Sequence, residues 1–301
     1  MISRRGSDVI EPPSYTKSID LHLHSTASDG SYSPEELLSL AAACGLKTIA
    51  IADHDSVAGV RKATLLLSQY NLELIPAVEL TAVFDGMLVD ILGYLVDVDA
   101  SWFIEYLEEI FSKRMTRAET MVSRLQQKGF GLSWDEVVAV SRGGFVCGVH
   151  ILHVLYDKGF LKDEREIVTR LHEFFCREGP GYVPNNMEFR SAIEVIRMIH
   201  DLGGIAVLAH PGRYQREVNI REAVRIGLDG LEVYYSTHTP EMTLQYSKTA
   251  RDLGMVATGG SDYHGIYTKG DVMLGRLEMP ANTILQLSKC WIKRSKSKGF
   301  Y

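Results

Sequence analysis

Histidines and carboxylates recur in five short stretches of this 301-residue chain, and together those residue types suit the ligation of divalent cations. In DLHLHS, residues 20–25, His22 and His24 stand two apart, so on a strand both imidazoles point to one side and can chelate one ion. Taken alone, such a pair reads as readily as a polar strand face. Asp29 follows in Ser-Asp-Gly, where turn chemistry is the plainer reading. In ADHD, residues 52–55, His54 falls at a strand end. Asp53 and Asp55 read there as ligands, as groups that orient a ligating histidine, or as the start of the next helix. Glu79 directly follows LELIPAV, and Asp90 sits inside LVDILGY. A carboxylate against an apolar strand demands a partner, either a bound cation or a basic side chain. His210 ends the strand IAVLA, and Arg213 just beyond it reads as a fork for phosphate oxygens or as a solvated arginine. GGSDYHG, residues 259–265, adds Asp262 and His264 between glycines that allow a close backbone approach or merely a turn.

Six or more such ligands exceed what one tetrahedral zinc ion takes. They imply a multinuclear site with mixed nitrogen and oxygen ligation, suited to Mn²⁺, Fe²⁺ or Zn²⁺. The remaining histidines read differently. His172 and His200 fall inside amphipathic helices as ordinary helix residues, and His238 reads as a surface residue in the loop STHTP. His150 and His153 are three apart on one helical face; both could line a substrate cleft, and packing is the favoured role for His153.

Something must bring these stretches together. From residue 19 the chain alternates strand and helix: strands over Ile19–Leu23, Thr48–Ala52, Leu72–Val78 and Leu88–Val96, with helices after Ser33-Pro34-Glu35-Glu36, a capping box, and over about Val57–Gln69. After a long helix over 101–128 the rhythm breaks into short helices, then returns: a helix over Ser191–Leu202, strand Ile205–Ala209, helix Asn219–Ile226, strand Gly230–Tyr234, helix Pro240–Leu253 and strand Met255–Thr258. Such alternation predicts parallel strands with helices outside, and the carboxyl ends of barrel strands share one face where distant ligands converge. The expected organisation is a flexible arm over 1–17, barrel over 18–128, a small helical insert over 129–187, barrel again over 188–285, and a basic surface tail over 286–301.

Composition narrows the function. Net charge is 32 − 38 = −6, which argues against a broad basic face for long nucleic acid but allows a local pocket for a phosphorylated small molecule. The four cysteines, Cys44, Cys147, Cys176 and Cys290, form no Cys-x-x-Cys pair and fit a reducing cytoplasm. The first residues lack the apolar core of a signal peptide, and no apolar run is long enough to span a membrane. Oligomeric state is not legible.

In this order DLHLHS, ADHD, the glutamate after the third strand, AHP and GSDYHG resemble the PHP (polymerase and histidinol phosphatase) superfamily over about 19–265. The likeness is to its stand-alone phosphoesterases, which include members acting on 3′,5′-nucleotide bisphosphates and members degrading RNA from its 5′ end. The resemblance implies a distorted (β/α)₇ barrel of the α/β class with a small helical insert. It implies one ion on His22, His24, Glu79 and Asp262, a second on Asp29, His54 and His264, and a third on Glu79, Asp90 and His210. It puts catalysis on His22, His24, Asp262, His264 and Arg213, with Arg213 and His150 against the substrate. Two positions depart from the family pattern. Asp90 stands where a histidine is common, which shifts that ion's preference toward harder metals such as Mn²⁺ or Mg²⁺. Gly148 stands where the family often has arginine, leaving Arg142 as a candidate replacement. The implied function is metal-dependent hydrolysis of phosphomonoesters of small nucleotides or of short oligonucleotide ends. The alternatives are an amidohydrolase-type C–N hydrolase, against which no lysine stands at a strand end of the core motifs, and a non-catalytic metal-binding nucleotide sensor or scaffold.

Overall fold

The computed structural model describes residues 14–184, 187–270 and 272–297. Seven strands form one barrel-shaped sheet in chain order: β2 (Ile19–Leu23), β3 (Thr48–Ile51), β4 (Glu73–Phe84), β5 (Met87–Tyr94), β6 (Ile205–Leu208), β7 (Gly230–Tyr235) and β8 (Val256–Gly260). A separate pair joins β1 (Tyr15–Thr16) antiparallel to β9 (Met279–Pro280). Tyr15 and Thr16 are therefore anchored rather than part of a loose arm; the rest of the expected arm, residues 1–13, lies outside the described residues. The sheet closes between its first and last strands, where Leu23 bridges Tyr263, the Asp262 amide donates to the His22 carbonyl (2.9 Å) and the His24 amide to the Tyr263 carbonyl (3.0 Å). Gly260 permits that approach: a Cβ there would sit 2.2 Å from the Cβ of His22.

This is the distorted barrel expected, with one correction. β4 is antiparallel to β5, and β5 to β6, while the other neighbours are parallel. Only Asp85 and Gly86 separate β4 from β5, both with positive φ (49° and 70°), the geometry of a tight hairpin rather than of a helical crossover. The central strands β2, β3, β6 and β7 are buried along their whole length, as strands covered on both faces must be.

Around the sheet lie α1 (Pro34–Ala43), started by the expected Ser33/Glu36 capping box, and α2 (Ala58–Leu66). The 27-residue α3 (Ser101–Gln127) bridges two apolar cores. Phe103 and Leu107 join the barrel core, whereas Ala118, Met121, Val122 and Leu125 join the core of a helical lobe. That lobe is built from α4 (Trp134–Ser141), α5 (Gly148–Asp157), α6 (Glu166–Thr169) and α7 (Leu171–Phe175), and it takes in Tyr267 from the barrel side. The lobe thus begins within α3, before the boundary expected at 129. The chain then runs through α8 (Ala192–Asp201), α9 (Ile220–Arg225) and α10 (Pro240–Asp252) to α11 (Thr283–Ser297). α11 replaces most of the expected basic surface tail. Leu287 is buried, the Trp291 indole N–H donates to the Gly203 carbonyl (2.8 Å), and Arg294 is paired with Asp229.

Candidate metal centre

At the carboxyl ends of the strands the five stretches meet. His22 lies near the end of β2 and His24 directly follows it; their rings lie 5.0 Å apart with both side chains on one side, as alternation requires. Between them and the opposite wall stands Glu79. It is not beyond a strand end, as the sequence suggests, but in the middle of the longer β4, bridged to His54 and fully buried. Its Oε2 lies 3.2 Å from His22 Nε2, 3.3 Å from His24 Nε2 and 3.1 Å from His54 Nδ1, and its Oε1 accepts from His210 Nε2 at 3.0 Å. Asp262 Oδ1 reaches His24 Nε2 at 3.1 Å, and Asp29 Oδ1 lies 3.3 Å from His264 Nε2. His210 and Asp262 both hold positive φ (27° and 56°), a strained backbone of the kind kept at functional positions.

Ligand atoms within 4.8 Å of one another fall into three groups: His22, His24, Glu79 and Asp262; His24, Asp29, His54 and His264; and His54, Glu79 and Asp90. The first is the set expected for one ion. The second adds His24 to the expected set. In the third His54 takes the place expected for His210, whose Nε2 is 4.0 Å from Asp90 Oδ2. Among the described residues Asp90 has no lysine or arginine partner. It accepts from Thr81 Oγ1 (3.0 Å), and its amide donates to the Tyr214 hydroxyl (2.9 Å).

Whether cations fit can be read from unmet polar atoms. His22 Nε2, both ring nitrogens of His24, Asp29 Oδ1, His54 Nδ1, Glu79 Oε2 and His210 Nδ1 are buried with no hydrogen-bond partner among the described residues. Buried polar atoms are nearly always satisfied, and six of these seven belong to residues of the three groups, so they are what divalent cations would satisfy. The electrostatics agree. Burial opposes charge throughout, yet the neighbouring imidazoles hold Glu79 and Asp262 well below the usual carboxylate range, and Asp29 and Asp262 raise His264 to about 9. Burial and His264 push His24 down to about 3, so its ring is neutral and offers a lone pair.

A further layer holds the ligands. Glu232, fully buried on β7, accepts from His22 Nδ1 (2.9 Å) and from the His210 amide (2.7 Å), fixing one ring and the backbone that carries the other. Asp53 is neither ligand nor helix start. Its two oxygens accept the Ser25 amide and the Ser25 and Ser28 hydroxyls (2.6–2.7 Å), pinning the loop that presents Asp29. Asp20 accepts the Ser261 amide at 2.9 Å, and burial raises its pKa to about 6. Asp55 pairs with Arg114, which lies over the Phe145 ring.

Above the cluster is a cavity of about 380 Å³ whose wall includes Asp29, His54, Arg213, Asp262 and His264. Arg213 stands at its edge, donating to Asp262 Oδ2 (2.6 Å) and to the Tyr235 hydroxyl (3.0 Å). Four expectations change here. His150 is 1% exposed and accepts the Cys147 amide (3.2 Å); its neighbour Val149 is the residue of α5 in the cavity wall. Arg142 turns away to pair with Glu36 (3.0 Å), so it does not replace the missing arginine. At Gly148 a Cβ would already lie 2.9 Å from Leu171 and 3.0 Å from Phe175, so α7 leaves little room for a side chain. His238 is not a surface residue: its Nδ1 donates to the Val233 carbonyl (3.0 Å) and its Nε2 accepts the Gly212 amide (3.2 Å), holding the turn that carries Arg213. His200 is no ordinary helix residue either, lying 2.8 Å from Asp229.

The PHP domain model matches residues 20–179, more than half of the chain. The chain belongs to the PHP family. This PHP protein is 30% identical over 257 residues to the 5′-3′ exoribonuclease Rnm of Escherichia coli, covering 83% of this chain and 86% of that one. It is 29% identical over 252 residues to a 3′,5′-nucleoside bisphosphate phosphatase of Chromobacterium violaceum, covering 82% and 87%. A solved structure from Bifidobacterium adolescentis, described as a candidate metal-dependent phosphoesterase, superposes with a TM-score of 0.80 at 28% identity over 90% of this chain and 96% of that one. The expected enzyme class, a hydrolase of phosphate esters, is borne out. Among the described residues no helix is long and apolar enough to cross a membrane.

Proposed function

We propose that this PHP protein hydrolyses phosphomonoesters of small nucleotides, such as 3′,5′-nucleoside bisphosphates, or the ends of short oligonucleotides, with two or three divalent ions, Mn²⁺ above Fe²⁺ or Zn²⁺. The observation that carries this reading is Glu79 Oε2, buried and unbonded with three imidazole nitrogens within 3.3 Å. In this reading His22, His24, Glu79 and Asp262 hold one ion, Asp29, His54 and His264 a second, and Glu79 and Asp90 with His54 or His210 a third. Bound there, such ions supply Lewis acidity toward phosphoryl oxygens and water ionised near neutral pH. The carboxylate-rich third set favours Mn²⁺ over softer metals.

The chain's own residues supply the rest. Arg213, anchored by Asp262 and Tyr235, presents its remaining guanidinium edge to the cavity, where it binds an equatorial phosphoryl oxygen and its growing charge. His238 holds the Arg213 turn in place, and Glu232 keeps His22 in the tautomer with Nε2 free. Val149, Val168 and Leu171 give the cavity an apolar wall on the lobe side. No serine or cysteine nucleophile is required.

The test is a Mn²⁺-loaded preparation assayed on p-nitrophenyl phosphate, adenosine 3′,5′-bisphosphate and a panel of amides, alongside His24→Ala. Phosphate release that drops by a thousandfold or more in His24→Ala is expected. Turnover of amides alone, or silence on all substrates with metal bound, would overturn the reading in favour of a C–N hydrolase or a non-catalytic sensor.

A further inference from the structure

Three cavities adjoin at the open end of the barrel. The one above the ligand cluster continues into a groove of about 760 Å³ between the lobe and residues 265–270, and into a hollow of about 370 Å³ toward Arg276 and Leu277. Two side chains stand in the wall of all three, Val272 and Lys269, and only the lysine is charged. Lys269 comes seven residues after Asp262 and is exposed at this junction.

The two cations of the cavity differ in what they are bound to. Arg213 is neutralised by Asp262 at 2.6 Å. Lys269 forms no ion pair or hydrogen bond among the described residues, although it lies within the electrostatic reach of Arg213, Asp262 and Asp29. Partial desolvation and Arg213 lower its pKa against the opposing pull of Asp262 and Asp29. An ammonium with no ion pair among the described residues, standing in the wall of a polar cavity, attracts an anion, and lysine's flexible stem suits a point contact with a phosphate rather than a fixed fork.

We propose that Lys269 binds the phosphate adjacent to the scissile one and thereby sets a preference for substrates carrying two phosphates over simple monoesters. The inference rests on the phosphoesterase reading above. If the ligand cluster takes the scissile group, a neighbouring phosphate leaves the central cavity by one of the two arms, and both arms pass Lys269. The apolar side chains of Val168, Leu171 and Val272 line the lobe-side arm and offer a surface for the sugar and base between the phosphates. The second phosphate is either the terminal group of a bisphosphate or the next diester of an oligonucleotide.

The experiment compares the parent, Lys269→Met and Lys269→Arg, all Mn²⁺-loaded, on p-nitrophenyl phosphate, adenosine 3′,5′-bisphosphate and a 5′-phosphorylated tetraribonucleotide. The ratio of kcat/KM on a two-phosphate substrate to that on the aryl phosphate is expected to fall about ten- to hundredfold in Lys269→Met, mainly through KM, and to recover largely in Lys269→Arg. A fall confined to the bisphosphate places a terminal phosphate on Lys269; a fall confined to the tetranucleotide places a diester there. An unchanged ratio in Lys269→Met, with the parent active and the variant's Tm matching the parent's, overturns the inference alone. A parent inactive on all three substrates removes the phosphoesterase reading and this inference with it.

Discussion

Glu79 shows how much one side chain can decide. A carboxylate with no exposure, contacted by four imidazoles, has to be matched by positive charge, and the orphaned nitrogens around it are atoms that a cation could satisfy. Glu232 is its counterpart in the layer behind. It contacts His22 and the His210 amide but none of the atoms that would touch an ion, so Glu232→Gln is expected to keep the fold while loosening the His22 ring and the backbone at His210. Metal content after gel filtration, read by mass spectrometry, and kcat/KM should each fall about ten- to hundredfold. Full metal content and full activity in that variant would show that the His22–Glu232 contact is idle. Glu232 was as legible as Asp90, since both are acids inside apolar strands, LEVYY and LVDILGY. The candidate ligands could be read from their own stretches because the histidines and Asp262 sit at or near strand ends, while Glu79 and Asp90 are acids inside apolar strands. Arg114 and Lys269 could not, because an arginine inside a 27-residue helix and a lysine after a loop carry no pattern of their own.

Elements were legible where the period was clean and the caps were present, as at α1. They were misread where charge masked the period or one turn was overlooked. Phe-Asp-Gly-Met at 84–87 contains the Asp-Gly of a two-residue hairpin, the local signal that makes β5 antiparallel and sets Asp90 opposite Thr81. In α11 the basic residues hide Ile284, Leu287 and Trp291, whose spacing is that of one helical face. That helix is fastened by Asp229, which accepts from His200 (2.8 Å), the Ala206 amide (2.9 Å) and Arg294. Asp229→Asn leaves these donors poorly matched and is expected to cost about 3 kcal/mol, lowering Tm by roughly 5–10 °C in a calorimetric scan. The pH dependence has a definite sign. Burial pushes the Asp229 carboxyl up, but His200, the Ala206 amide and Arg294 outweigh it and hold the pKa below the ordinary value. Its contribution is therefore complete above the unfolded-state pKa of about 3.9 and is lost as the pH falls through the lower folded value. The Tm gap between parent and Asp229→Asn should be wide above pH 5 and should narrow below pH 4; a gap that widens on acidification would contradict this.

At the scale of the whole molecule the ligand cluster lies over the seam where β2 meets the end of β8, with His22 and His24 on one side and Asp262 on the other. Ions held by both sides would brace that seam. Removal of metal by a chelator is expected to lower Tm by about 5–10 °C, with recovery on adding Mn²⁺, since a ligand at a hundred times its Kd stabilises the folded state by about 2.7 kcal/mol. A Tm indifferent to chelation would mean that the seam stands without them. The order in which the chain leaves the ribosome gives the same seam another significance. Glu79 and Asp90 emerge close together, but the four-residue group with His22 and His24 is incomplete until Asp262, far downstream of the histidine pair, has been synthesised. A nascent fragment ending before Asp262 therefore lacks one member of that group, so any chemistry that needs all four side chains waits for the second half of the barrel.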